Sequence, residues 1–442
     1  MATHFLPGPR TQLPAPGEDP ILDTAFTDRL LAAPAYLSAT EVRTVTRDLQ
    51  TVLALARSLP ERLFDGSVAA MARGVGFEDR DAALIASAAA AGPLLPYARA
   101  DLYHDGEHFR LLELNVTTAL GGLEVARVNR ALLRQEPLRA HVEARGLQFQ
   151  DPVAALARTL VATCRSARDT PDPLFAVVDL AKNIPAGGGT LQGLTTLLEA
   201  EGVLGRACHP AELTYRGGHP YIDGRRVDGI LRQFMLGDFS YPDLGDELTP
   251  VVRAVAAREV EMCSGLDAEL YGSKGTLAVL SDNQHRQHFS VDELDCVDRF
   301  LPWTRYMRQH STDPGGSGVN LVAYARARQD ELVLKPTNLH GGQGVLLGWQ
   351  TDPAEWLAHV ERAVGGPYIL QQRVRPSVEE YPADGPARNL VLNWGVFVAG
   401  ETLAGPGGYA GCLIRAQEAT DEGVISVGHG ARLGCVFHES LT

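Results

Sequence analysis

The chain has 442 residues, 45% of them apolar, and a formal net charge of −14. That length allows two or three domains with substantial cores, and the acidic balance, with no sustained basic stripe, argues against nucleic acid as a routine partner. Six cysteines (Cys164, Cys208, Cys263, Cys296, Cys412 and Cys435) lack C-x-x-C spacing, so reduced and buried or incidental thiols are expected rather than a metal site.

Residues 1–20 are proline-rich and lack a positive segment followed by an apolar core, which predicts a loose arm and no secretory signal. No window reaches eighteen apolar residues without charge, so no membrane partner and a cytoplasmic location are expected. Helical periodicity runs from Asp28 to about Gly92, clearest over Val42–Leu59 and Asp81–Ala91, with Pro93 and Pro96 ending it. Two strands follow across RADLYHDGEHFRLLELN, Arg99–Asn115, joined by a turn at Asp105-Gly106. Helices are predicted from Leu123 to Arg168, and the run Asp169–Pro173 marks a boundary. LFAVVDL, Leu174–Leu180, reads as a buried strand, followed by a turn at Gly187–Gly189 and a helix; with the strands that follow, this suits a small Rossmann-like lobe. Ser290 caps a further helix, and from Val333 onward strands alternate with one helix at Pro353–Val364.

Two segments carry chemistry. In VLKPTNLHGGQGVLLGW, Val333–Trp349, an apolar strand delivers Lys335, and Gly341, Gly342 and Gly344 allow backbone N–H groups close to phosphate oxygens. In the earlier hairpin, Glu113 and Asn115 stand two residues apart, on one face of a strand, as oxygen ligands sharing a magnesium ion require, with Asp101 on the partner strand. Either segment alone is compatible with an ordinary solvated hairpin. Together they meet the complementary needs of one ligand, Mg-ATP. No GxxxxGK[ST] run is present, and no GxGxxG follows an early strand.

These residues resemble the ATP-grasp superfamily, in which a lysine and a glycine loop cover the nucleotide and a D...E-x-N set binds Mg2+. Here Asp101, Glu113 and Asn115 precede Lys335, an order similar to that of the circularly permuted ATP-grasp ligases, of which glutathionylspermidine synthetase is the best-known type. Arg99 completes an R-x-D. SKGTLAVLSD, Ser273–Asp282, resembles a segment that would make Lys274 a second nucleotide lysine. YILQQRV, Tyr368–Val374, resembles the adenine hinge strand and implicates Gln371, Gln372 and Val374, while GGYAGCLIRA, Gly407–Ala416, resembles a late strand bearing Arg415. Arg232 matches an arginine found at this place in permuted relatives. His340 stands where the glutathionylspermidine enzymes have an arginine in a shorter loop, so the substrate need not be glutathione or a polyamine.

The resemblance implies an α/β (α+β) fold: a circularly permuted ATP-grasp domain with a Rossmann-like lobe and an N-terminal helical segment. Residues 21–168 would hold the helical region and the metal-binding strands, 169–260 the Rossmann-like lobe, and 261–442 the nucleotide-binding and lid region. It implies ATP and Mg2+ as cofactors, with the ion on Asp101, Glu113 and Asn115 and the phosphates on Lys335 and Lys274. The expected reaction joins a small-molecule carboxylate to an amine through an acyl phosphate, with amino acids as substrates and a γ-glutamyl bond as one form. Arg99 would stabilise the transferring phosphoryl group, or else only pair with Asp101. Arg415 would contact substrate or phosphate, and the loop from His340 to Gly344 would close over the γ-phosphate. Thr117, Thr118 and Gly121 would border the reacting carboxylate, Arg232 would hold another, and His340 and Glu124 are candidate bases. A kinase or phosphotransferase on the same scaffold, a glutathionylspermidine-type amide ligase, and a nucleotide-binding protein without turnover stay open.

Overall fold

Ser38 and Glu41 form a capping box, in which Ser38 Oγ accepts from the Glu41 N–H and the Glu41 carboxylate accepts from the Ser38 N–H at 2.7 Å. This box starts the long helix Ala39–Leu63, just after a short strand, β1, at Ala35–Leu37. The computed structural model describes residues 4–6, 8–9, 29–91, 97–164, 170, 172–184, 189–382, 388–420 and 423–441. The expected N-terminal arm, the helix stop at Pro93 and Pro96, the boundary at Asp169–Pro173 and the Gly187–Gly189 turn lie wholly or partly outside the described residues.

The predicted hairpin is present as β2, Tyr97–His104, and β3, Phe109–Val116. The predicted helical run after Leu123 is broken into Val125–Leu133, Glu136–Ala144 and Pro152–Thr163. Gly146 at φ +62° turns the chain out of the second of these, and Asp151 with Pro152 restarts it as an N-cap and N1 pair.

A second lobe is built from β4 (Leu174–Val178), β5 (Leu204–Cys208), β6 (Gly229–Arg232) and β7 (Glu261–Cys263). They form an all-parallel sheet in the order β7-β6-β4-β5. Parallel neighbours need crossovers, and the helices Gly189–Glu199 and Pro242–Ala256 lie in two of them. A four-stranded parallel sheet thus stands where the Rossmann-like lobe was expected, and it runs past residue 260, to Cys263.

The lid is an antiparallel sheet of β8 (Thr304–Tyr306), β9 (Leu332–Pro336), β10 (Leu346–Leu347) and β11 (Tyr368–Gln372), ordered β8-β11-β9-β10. Its own core includes Trp303, Met307, Leu334, Trp356 and Val360. The chain then returns as β12 (Val378–Tyr381), β13 (Arg388–Ala399), β14 (Tyr409–Glu418) and β15 (Arg432–Glu439).

These last strands join the early hairpin in one mixed eight-stranded sheet, with the path β1-β15-β14-β13-β2-β3. β12 pairs with the first half of β13, β2 with its second half, and the short strand Leu147–Gln148 pairs with the end of β15. N- and C-terminal parts of the chain thus share a single sheet. Trp394, Val396 and Val398 belong to the core that contains Val45, Leu49 and Val52 of the first long helix. Alternate residues Phe397 and Ala399 belong to a second core with Val128, Leu156 and Leu160. Helices cover one face and part of the other, as period-two burial demands. The rest of the second face, around Val391, Asn393 and Arg415, opens into the cleft below the lid. No helix among the described residues is long and apolar enough to cross a membrane.

Candidate active site

A cleft of about 370 Å³ separates that open face from the lid. Sheet residues lining it include Arg99, Asp101, Glu113, Asn115 and Arg415, and lid residues include Lys335, Gly341, Gly342, Gln371, Gln372 and Val374. Two segments far apart in sequence therefore meet across one cavity. The register explains the sheet side: Asp101 lies opposite Glu113 on β3 and Gly395 on β13, and Arg99 lies opposite Asn115. Paired residues on antiparallel strands share a face. Gly395 has a packing reason, because a Cβ there would come within 3.3 Å of Arg99 Cδ and 3.1 Å of Leu413 Cγ.

Asp101 is held by two arginines. Its Oδ1 accepts from Arg99 Nε at 2.9 Å and from Arg415 at 3.1 Å, and its Oδ2 accepts from the same two guanidinium groups at 3.2 and 3.3 Å. Burial alone would raise the Asp101 pKa, but the charges of Arg415 and Arg99 overcome it and bring it to about 2. Arg99 also donates to the Gly121 carbonyl at 2.6 Å, which fixes the turn after β3. As it stands, the Asp101 carboxylate is saturated by guanidinium donors. In this arrangement both its oxygens are taken up by arginine, whereas Glu113, whose Oε1 accepts from Lys274, and Asn115 present to the cleft oxygen donors of the kind Mg2+ takes.

Lys274 begins the helix Lys274–Ser281, whose N-cap Ser273 accepts from the Gly275 N–H. Its ammonium is buried and donates to Glu113 Oε1 at 3.0 Å and to the Leu339 carbonyl at 2.8 Å. It lines a small adjoining cavity with Thr117, Glu269 and His340, not the main cleft. Lys335 does line the cleft and donates to Gln371 Oε1 at 2.6 Å. Burial disfavours its charge and brings its pKa to about 8, against the opposing pull of Glu113.

The glycine turn departs from the expectation in detail. Gly341, Gly342 and Gly344 all have positive φ, at +64°, +79° and +68°. Only the first two line the cleft, while a Cβ on Gly344 would fall 2.8 Å from Pro336 Cγ. His340 is half-exposed, stands 4.0 Å from Glu269 and faces the small cavity. In the hinge, Gln371 is occupied with Lys335 and with Thr304, Gln372 is exposed, and Arg373 stacks 3.8 Å above the Trp349 ring.

The carboxylate-binding expectation for Arg232 is corrected. Its side chain is fully buried and donates to Glu269 Oε1 at 2.6 Å and to the carbonyls of Ser264 and Phe234 at 2.7 Å, with longer contacts to Gly265 and Thr117. With every N–H group directed at protein, it ties the parallel lobe to the segment after β3. Thr118 donates to the Arg232 carbonyl at 2.6 Å, and both threonines are buried. Thr117, Thr118 and Gly121 therefore shape the loop below Asn115 and do not line the main cleft. Glu124 accepts from the Gly122 N–H at 3.1 Å.

Among solved structures, a glutathione synthetase-like effector from Globodera pallida, determined in the apo form, superposes with a TM-score of 0.54 at 13% identity, over 93% of this chain and 92% of that one. The two chains share their fold. A putative gamma-glutamylcysteine synthetase from Methylobacillus flagellatus gives a TM-score of 0.45 at 12% identity, over 87% of this chain and 86% of that one. No family model and no curated protein matches the sequence.

Sequence reasoning missed much of the cleft's far wall. Tyr103, Val391, Asn393, Gln417 and Ile425 also line it. Asn393 lies opposite Arg415, and its Oδ1 is buried without a hydrogen bond. The one signal available was its position two residues before Gly395 in an otherwise apolar run.

Proposed function

We propose that this chain is an ADP-forming ligase that joins a carboxylate to an amine on a circularly permuted ATP-grasp scaffold. The observation that carries the reading is the single cleft that collects Lys335 and the Gly341–Gly342 turn on the lid side and Glu113 and Asn115 on the sheet side. The fold shared with the glutathione synthetase-like effector agrees with it, although fold by itself does not specify chemistry.

In this reading Glu113 and Asn115 hold Mg2+, which when bound supplies charge neutralisation at the phosphates. Lys335 binds phosphate oxygens, and the N–H groups of Gly341 and Gly342 cradle the γ-phosphate. The apolar walls from Tyr103, Val391 and Ile425 receive the adenine together with the hinge at Val374. An oxygen of the substrate carboxylate attacks the γ-phosphorus, and the bond to ADP breaks. The amine nitrogen then attacks the acyl carbon, expelling phosphate and losing a proton. Arg99 and Arg415, oriented by Asp101, face the position where negative charge develops, and such preorganised donors are the main source of stabilisation in phosphoryl transfer. Amino acids are the substrate class, with a γ-glutamyl bond as the leading form.

The experiment is ADP release with Mg-ATP against a matrix of single amino acids and amino-acid pairs, with mass spectrometry of the products. A signal that needs a pair, and a product equal to both substrates minus water, is expected. ADP release with one substrate and a phosphorylated product would replace the ligase by a kinase.

A further inference from the structure

On the opposite face of the central sheet from the cleft, His4 is inserted between the first long helix and the sheet. Its ring is 4% exposed and packs edge-on against Trp394 at 4.8 Å and His104 at 5.1 Å between centroids. Its Nδ1 is 2.7 Å from Glu379 Oε1 on β12, and its Nε2 is 3.0 Å from Glu41 Oε1 on the helix. The other oxygen of Glu41 is committed to the capping box, which holds Oε1 toward the histidines. Glu379 is fixed in turn, since its Oε2 accepts the His4 backbone N–H at 3.0 Å.

We propose that His4, His104 and Glu41 form a site for a divalent transition-metal ion of the zinc class, with Glu379 as the outer carboxylate that orients His4. Three observations carry this. The potential ligand atoms of His4, Glu41 and His104 all lie within 4.8 Å of one another. Two imidazoles and one carboxylate, with Glu41 and His104 only half-buried so that solvent can complete the shell, are a donor set that zinc takes. The Glu379–His4 contact reproduces the carboxylate–imidazole–metal relay that fixes the tautomer of a ligating histidine.

The distances are close to those of a loaded site. Two ligands about 2.1 Å from one tetrahedral ion stand about 3.4 Å apart, so the His4–Glu41 pair needs to part by a few tenths of an ångström. His104 has to move inward by at most about 1.4 Å on the same geometry. Its Nδ1 is 3.5 Å from Ser377 Oγ, a contact too long to hold the ring firmly. An imidazolium shared by two carboxylates explains the pairing of His4 but leaves the nitrogens of His104, whose ring also packs edge-on against Phe109 at 5.0 Å, outside that pairing. When metal binds it replaces the proton at His4 Nε2, and the ion then staples the N-terminal segment to the long helix and to β2.

The test uses the full chain, stripped with a chelator and titrated with Co2+ as the probe, followed by visible absorption. One equivalent is expected to give the intense bands of a low-coordinate cobalt ion, displaced by Zn2+, retained in Glu113→Gln and lost in His104→Ala. Zn2+ is likewise expected to raise the unfolding midpoint of the native chain and not that of His104→Ala. A weak octahedral-type spectrum in the native chain, or an unchanged spectrum in His104→Ala, would overturn the proposal.

Discussion

Lys274 Nζ donates to Glu113 Oε1 at 3.0 Å and, from the same ammonium, to the Leu339 carbonyl at 2.8 Å. One buried cation thereby ties a carboxylate of the sheet to the loop that follows Lys335. Removing it leaves Glu113 without its partner, and since Glu113 retains some exposure the cost falls below that of a fully buried pair, at about 2–3 kcal/mol. Lys274→Met is therefore expected to lose stability in urea unfolding. Lys335→Met should instead keep its stability and bind ATP at least about tenfold more weakly. If the Lys274 variant were fully stable yet lost nucleotide as severely as the Lys335 variant, Lys274 would be a nucleotide ligand.

Asp101 distinguishes an arginine anchor from a metal ligand. Asp101→Asn places an amide N–H₂ against two guanidinium groups and should cost about 2–4 kcal/mol. The Mg2+ concentration that half-saturates nucleotide binding should rise clearly in Glu113→Gln and change little in Asp101→Asn. An equal rise in both would return Asp101 to the metal set.

Arg232 should behave as a strut. Arg232→Met leaves the buried Glu269 without its guanidinium partner, at a cost of about 3–5 kcal/mol, visible in denaturant midpoints. In the fraction that folds, the KM for the proposed amino-acid substrates should match that of the native chain. A raised KM with stability intact would restore a substrate contact.

The pH dependence follows from Lys335. Its folded pKa, about 8, lies below the ordinary 10.5, so between those values the unfolded state binds more protons and this group's contribution to stability rises with pH. Nucleotide binding runs the other way. Phosphate needs the ammonium form, so ATP affinity should fall above pH 8, by up to about tenfold per unit. Calorimetric titrations at about pH 7 and about pH 9 should show the fall in the native chain and a flat response in Lys335→Arg, because a guanidinium keeps its proton throughout. A flat response in the native chain would remove Lys335 from the phosphates.

The parts legible from sequence are those with local grammar. The Asp105-Gly106 turn between alternating strands announced β2 and β3, and the proline and glycines around Lys335 announced the loop. β13 falls among the strands expected after Val333, but its place at the centre of the sheet was not legible, because LVLNWGVFVA is nearly continuous in apolar residues and shows no period that would assign its faces. With it went Asn393 and the far wall of the cleft. Arg232 was misread because its partners, Ser264 and Glu269, arrive more than thirty residues later. His4 sits in a stretch without periodicity, and its partners, Glu41 on the first long helix, Glu379 on β12 and the rings of His104 and Trp394, meet it only in the folded chain.

The lid meets the rest of the chain at two crossings, residues 301–303 before β8 and 373–377 after β11, and these strands are hydrogen-bonded neighbours, with Thr304 opposite Gln371. Entrance and exit of the lid therefore stand side by side, like two pins on one edge of a door. A swing about that edge would open the cleft without unpairing the eight-stranded sheet, because no strand of the lid belongs to it. The contacts that such a swing would part include Lys335 to the Leu112 carbonyl, Lys274 Nζ to the Leu339 carbonyl, Asn338 to the Gly76 carbonyl and the Lys274 N–H to the Thr337 carbonyl. On the proposed ligase reading, loading ATP and discharging ADP would require latches to release, not the frame to come apart.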